Sequence, residues 1–224
     1  MSHKVFQERL ERLEGRLLEM SYSVQKLVEE AVSYALTSDG SVEAIRSADK
    51  AIDAEEVGIE EECIELLALH QPMASDLRLL VTVLKVNSDL ERIGDHAVNI
   101  AEAAERLQKS VSPPAMPPEV AEMSRIALEM LRDAMEALVQ RNAVEAQDVR
   151  ARDDRVDGLH ESVFRVMLTH MLEANISACL QVILISRNLE RIADLATNIA
   201  EDVVFMVEGI TVRHAGAQEA KPAD

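Results

Sequence analysis

Residues Glu91–Glu102 read ERIGDHAVNIAE, and residues Glu190–Glu201 read ERIADLATNIAE. The two stretches lie 99 positions apart. In each, Ile, Ala and Ile recur at spacings of four and three (Ile93, Ala97, Ile100 and Ile192, Ala196, Ile199). That spacing keeps one apolar face along an α-helix. The acidic residues are held just as regularly. Glu91, Asp95 and Asn99 are four apart, as are Glu190, Asp194 and Asn198, so each set shares a face. Each ladder begins one residue after a seam leucine, Leu90 or Leu189, and so flanks the apolar seam.

The seam extends outward from both stretches. Leu79, Val83, Val86 and Leu90 continue it upstream in the first copy, which predicts a helix over about 75–108. Val182, Ile185 and Leu189 do the same in the second and predict a helix over about 175–208. Two further amphipathic patterns precede each copy. They cover about 3–37 and 41–70 in the first half, and 118–140 and 142–171 in the second. TSDGS ends the first of these helices, and Pro72 in HQPMASDLR interrupts the chain before Ser75 or Asp76, which can cap the next helix. SVSPPAMPPE, with four prolines, is the one clear linker. The expectation is an all-α chain of two tandem antiparallel three-helix bundles. The first spans 1–110, the linker 111–118, the second bundle 119–208, and a polar tail 209–224. Helices of thirty residues run about 45 Å, and a long bundle of this kind is expected to pair as a homodimer.

Composition agrees with helix. Of 224 residues, 48% are hydrophobic, enough for a core, but only 2% are aromatic and none is Trp. The net charge of −18, with no basic run along the chain, argues against nucleic acid as a partner. Cys63 and Cys179 lie inside helical apolar patterns and form no CxxC, as expected of small buried side chains. The charged N-terminal stretch lacks the apolar core of a signal peptide, and no stretch is apolar enough to span a bilayer. A cytoplasmic location is expected, with any approach to the membrane made through partners.

The helix before each ladder carries acids of its own. Asp49, Asp53 and Glu56 flank Ile52, and Asp153, Asp157 and His160 flank Val156. Antiparallel neighbours in a bundle can bring the two sets together. Like charges at this spacing repel, so something must offset them: Arg92 and Arg191, or a bound cation. Carboxylate and amide oxygens suit a hard ion such as Mg, Mn, Ca or ferric iron. Imidazoles at His160 and His96 would shift the preference toward iron, manganese or zinc. His70 and His170 stand near helix ends, where they can stabilise the C-terminal dipole. No phosphate loop and no nucleophile–His–Asp set is present, so no enzymatic role is expected.

The doubled E-R-I-x-D-x-A-x-N-I-A-E stretches, the upstream Asp49–Asp53 and Asp153–Asp157 pairs, and HQPMASDLR at His70–Arg78 resemble the PhoU family of bacterial phosphate-transport regulators. The resemblance runs over nearly the whole chain. It implies two tandem three-helix bundles and negative regulation of the phosphate-starvation response. The implied partners are the ATPase subunit of a phosphate ABC transporter and a sensor histidine kinase. It also implies metal at Asp49, Asp53, Glu91 and Asp95, and at Asp153, Asp157, Glu190 and Asp194, with Asn99 and Asn198 closing the ladders. Where the first half has Glu56 the second has His160, and HMLEANIS replaces the QPMASDLR turn. Two alternatives are a metal-storage or metal-dependent helical-bundle enzyme, and a purely structural bundle whose acids only pair with arginines.

Overall fold

The computed structural model describes residues 3–171 and 175–210. Every regular element among them is helical: α1 (His3–Thr37), α2 (Val42–His70), α3 (Ala74–Gln108), α4 (Pro118–Gln140), α5 (Ala143–Arg150), α6 (Asp153–His170) and α7 (Ile176–Glu208). The first three form one antiparallel bundle, and the last four form the second. Both seams are buried without a gap, from Leu79 through Ile93 to Leu107 and from Val182 through Ile192 to Met206. Each Leu or Ile so buried contributes about 1.5–3 kcal/mol relative to exposure. Of the tail expected over 209–224, residues 211–224 lie outside the described residues, as do 172–174 within HMLEANIS.

The most extensive contact in the molecule is between bundles, where α3 packs on α7. Arg78 Nε donates to Met206 O at 3.1 Å, Lys85 Nζ meets Asp202 Oδ1 at 2.9 Å, and His96 Nδ1 lies 2.9 Å from Asn188 Oδ1. Residue numbers rise on one helix as they fall on the other, so the two are antiparallel. Because α7 repeats α3, the bundles are related by a pseudo-twofold axis that crosses this pair near Arg92–Ile93 and Arg191–Ile192. Helices α1 and α4 touch beside it.

Two local details depart from expectation. The helix predicted over 142–171 is broken at Ala151–Arg152. Arg152 N bonds to Val149 O, three residues back, which tightens the turn. The flanking arginines reach to different neighbours, Arg150 to Glu201 on α7 and Arg152 to Asp133 on α4. The new helix start places Asp153 and Asp154 in the first turn of α6, where the backbone dipole favours acids. Helix α3 begins at Ala74, with Met73 in the cap position and no side-chain cap; neither Ser75 nor Asp76 caps it. His170 does bond a carbonyl of its last turn, Val166 O at 2.9 Å, whereas His70 packs on the Phe6 ring at 4.9 Å.

Candidate functional site

Helices α2 and α3 carry the first acidic group. Ile52 of α2 is buried in the seam, which turns Asp49 toward α3, while Gly94 of α3 leaves room for it. Asp49 Oδ1 is buried with no hydrogen-bond partner. Burial, with Asp53 and Asp95 beside it, pushes the Asp49 carboxyl up to about 6. Glu91 is raised first by burial and then by Asp95, Asp53, Glu56 and Asp49. Glu56 is raised by burial, Glu60 and Asp53. Five of the expected residues (Asp49, Asp53, Glu56, Glu91, Asp95) are therefore drawn into one mutually repelling set. Arg92, the expected partner, turns away to Asp89 at 3.4 Å. The neighbours that act most strongly on Asp49 and Glu91 are all acidic.

Helices α6 and α7 repeat the arrangement with changes. Asp153 Oδ1 is again buried without a partner. Burial, Asp194 and Asp157 push Asp153 up to about 6, and the nearby Thr197 hydroxyl tempers this without reaching hydrogen-bonding geometry. Asp157 is raised by burial, Asp194 and Asp154, with His160 and Arg191 opposing. Here the arginine does what was expected of it. Arg191 Nη1 donates to Asp194 Oδ2 at 2.9 Å, and its Nε lies 3.6 Å from Glu190. Glu190 lies against Arg191, and the strongest acidic neighbours of Asp153 and Asp157 are Asp194 and the acids of α6 itself. His160 Nδ1 is 3.0 Å from Ser186 Oγ.

Asn198 is half-buried one turn beyond Asp194. Asn99 is exposed and lines a groove between α3 and α7. Sequence spacing alone did not single out Gly94, Asn87 or Ser186. Asn87 Nδ2 donates to Glu56 O at 2.9 Å and leaves its Oδ1 buried and unpartnered. The available signal was position, since Asn87 and Ser186 each stand four residues before the ladder glutamates, Glu91 and Glu190.

As the side chains stand, no three His, Cys, Asp or Glu groups among the described residues converge closely enough to hold an ion. The chemistry nevertheless fits a hard cation. Each half buries one carboxylate oxygen that makes no hydrogen bond, at corresponding positions, and surrounds it with further carboxylates, with the Thr197 hydroxyl near the second. Asp53, Asp95 and Asp157 are exposed at the edge of these groups. The first half offers oxygen only, while His160 adds nitrogen to the second.

Residues 17–104 and 120–203 each match the family model of the PhoU domain. A protein of Pseudomonas putida, named a phosphate-specific transport system accessory protein PhoU homolog, is 39% identical over 94% of this chain and 84% of its own length. A protein of the same description from Rhizobium meliloti is 33% identical over the whole chain and 95% of its own length. The crystal structure of PhoU from Pseudomonas aeruginosa superposes with a TM-score of 0.87 at 37% identity, covering 92% of this chain and all of that one. The phosphate transport system regulatory protein PhoU from Streptococcus pneumoniae gives 0.86 at 31% identity, covering 92% of this chain and 99% of that one.

Proposed function

The chain belongs to the PhoU family, and from that premise we propose that it is a cytoplasmic, non-enzymatic accessory protein of a phosphate-specific transporter. In this reading it represses the phosphate-starvation response when phosphate is plentiful. The bundles dock on the transporter's ATPase subunit and on a sensor histidine kinase and hold the kinase in its inactive state. Such a shift requires tighter binding to the inactive than to the active kinase. The relatives' names, which describe accessory and regulatory proteins and not enzymes, support the non-enzymatic role. No helix among the described residues is long and apolar enough to cross a membrane, consistent with an approach made through partners.

We propose further that each acidic group holds a metal ion, with Asp49, Asp53, Glu56, Glu91 and Asp95 in the first half and Asp153, Asp157, His160, Glu190 and Asp194 in the second. A bound cation supplies positive charge that cancels the repulsion and ties α2 to α3 and α6 to α7. The observation that carries this is the pair of buried, partnerless oxygens on Asp49 and Asp153. The purely structural alternative requires arginines on both ladders, and in the first half Arg92 pairs with Asp89 instead.

The test is made in the host. The gene is deleted and an alkaline phosphatase reporter is recorded in phosphate-rich medium. High expression is expected, reversed by the wild-type gene but not by one with Glu91, Asp95, Glu190 and Asp194 all changed to Ala. An unchanged reporter in a genome without a second copy would reject the regulatory role.

A further inference from the structure

The groove between α3 and α7 that takes Asn99 is the chemical opposite of the ladders. Arg92, His96 and Arg106 of α3 and Arg187, Asn188 and Arg191 of α7 line a space of about 510 Å³, and no carboxylate is among its lining residues. In a chain with 41 acidic and 23 basic residues, four arginines and a histidine around one space require an explanation. They come from both halves: Arg92 and Arg191 are repeat mates that meet beside the pseudo-twofold axis. The His96–Asn188 contact at 2.9 Å braces the two walls.

The ion pairs nearby leave Arg187 and Arg92 largely uncommitted, whereas Arg191 donates to Asp194 at 2.9 Å and Arg106 to Glu102 at 2.8 Å. Arg187 makes no ion pair among the described residues and is exposed. Arg92 touches Asp89 only at 3.4 Å, with 55% of its side chain exposed. Arg106 shares Glu102 with Arg46. Guanidinium groups present planar, paired donors that match carboxylate or phosphate oxygens two at a time. An acidic peptide would carry its charge across the surrounding surface and meet the net −18 along its length. A compact, multiply charged anion concentrates its charge where the arginines are, and the volume is that of a small-molecule site.

We propose that this groove binds a phosphate-type oxyanion, held between Arg92 and Arg187 on opposite walls with Arg106 and Arg191 at the sides. The inference rests on the groove's own chemistry and not on the regulatory reading above, which stands or falls by the reporter. Its test is equilibrium dialysis of the chelator-stripped full chain against radiolabelled inorganic phosphate, with labelled ATP in a parallel arm to separate a free phosphate from a nucleotide's. Saturable binding is expected in at least one arm without metal. Arg187→Ala and Arg92→Ala should each weaken it by about tenfold, the loss of one charge-assisted paired contact. Both side chains are exposed and Ala favours helix, so the fold, checked by circular dichroism, should be kept. Glu91→Gln should leave this binding unchanged, which separates the groove from the metal ladders. The proposal is overturned by no saturable binding of either probe, by binding that needs metal, by equal binding in both arginine variants, or by a poly-glutamate peptide binding where neither phosphate probe does.

Discussion

Asp49 Oδ1 occupies the space that a β-carbon on Gly94 would fill, at 2.8 Å from the ideal Cβ position. The second half has Ala193 at the corresponding place. Gly94→Ala gains about 1 kcal/mol of helix propensity and must push the Asp49 carboxylate aside. The expected result is near-unchanged thermal stability in metal-free protein with clearly weaker metal binding at the first site. Calorimetric titration alongside Asp49→Asn checks it; unaltered affinity in Gly94→Ala would show that the Asp49 position is not used.

Metal should stabilise the stripped protein. At a hundredfold excess over Kd, one site contributes about 2.7 kcal/mol, so a melting curve with added manganese should move upward. Asp49→Asn combined with Asp153→Asn should abolish most of that shift. His160→Ala should weaken zinc binding more than magnesium binding, since only zinc favours the imidazole.

Without metal, acidity should help the fold. The carboxyls of Asp49 and Asp153 are both raised to about 6 by burial and neighbouring acids. The native state therefore takes up more protons than the unfolded chain between about pH 4 and 6. Their contribution is fully present below the ordinary aspartate value and is lost as pH rises through about 6. Denaturant unfolding in chelator should give higher stability at about pH 5 than at about pH 7. The Asp49→Asn, Asp153→Asn double variant should lack most of this slope.

Glu62 is a separate structural anchor. It is 7% exposed and receives Arg16 Nη1 at 2.8 Å, with Arg12 closer still and Arg9 Nε at 3.7 Å. Burial alone would raise its carboxyl, but Arg12 and Arg16 hold it below the usual range. Removing the anion takes charge-assisted hydrogen bonds from Arg12 and Arg16, although Arg16 keeps Glu55 at 2.8 Å and Arg9 keeps Glu65 at 2.7 Å, so Glu62→Ala should cost about 1.5–3 kcal/mol. Glu65→Ala, which removes only an exposed partner of Arg9, should leave the unfolding curve nearly unmoved. Urea unfolding of both variants separates them.

Asp202, 2% exposed, holds Lys85 across the bundles, and the Lys85 ammonium also lies 5.1 Å from the Phe205 ring. Asp202→Asn should loosen α3 from α7 more than it disturbs either bundle. Thermal unfolding followed by a probe in each half should then lose coincidence; fully coincident curves would argue that the seam alone couples the halves.

The helices and the acidic faces were legible because the seam keeps a 4,3 spacing and each ladder runs beside it at a spacing of four, as Leu90 beside Glu91 and Leu189 beside Glu190 illustrate. Periodicity reports which side of a helix a residue is on. It does not report rotamers, so Arg92 turning to Asp89 and Asn99 facing the arginine groove were hidden. The break at Ala151–Arg152 was hidden for a related reason: Val149 and Val156 keep helical phase across it, and the tightened turn coincides with arginines reaching to α4 and α7. The groove itself was invisible because Arg92 and Arg187 are distant in sequence and become neighbours only when α3 meets α7.

The antiparallel α3–α7 contact has the self-complementary form of a two-chain interface, in which the same patch serves both sides. In this protein both sides belong to one gene product. Two identical subunits must carry identical sites, because any mutation strikes both at once. A fused pair escapes that constraint. Glu56 where the second half has His160, and Gly94 where it has Ala193, are differences that two copies of one subunit could not carry. Each half is thereby free to specialise while the shared seam keeps the pseudo-twofold symmetry.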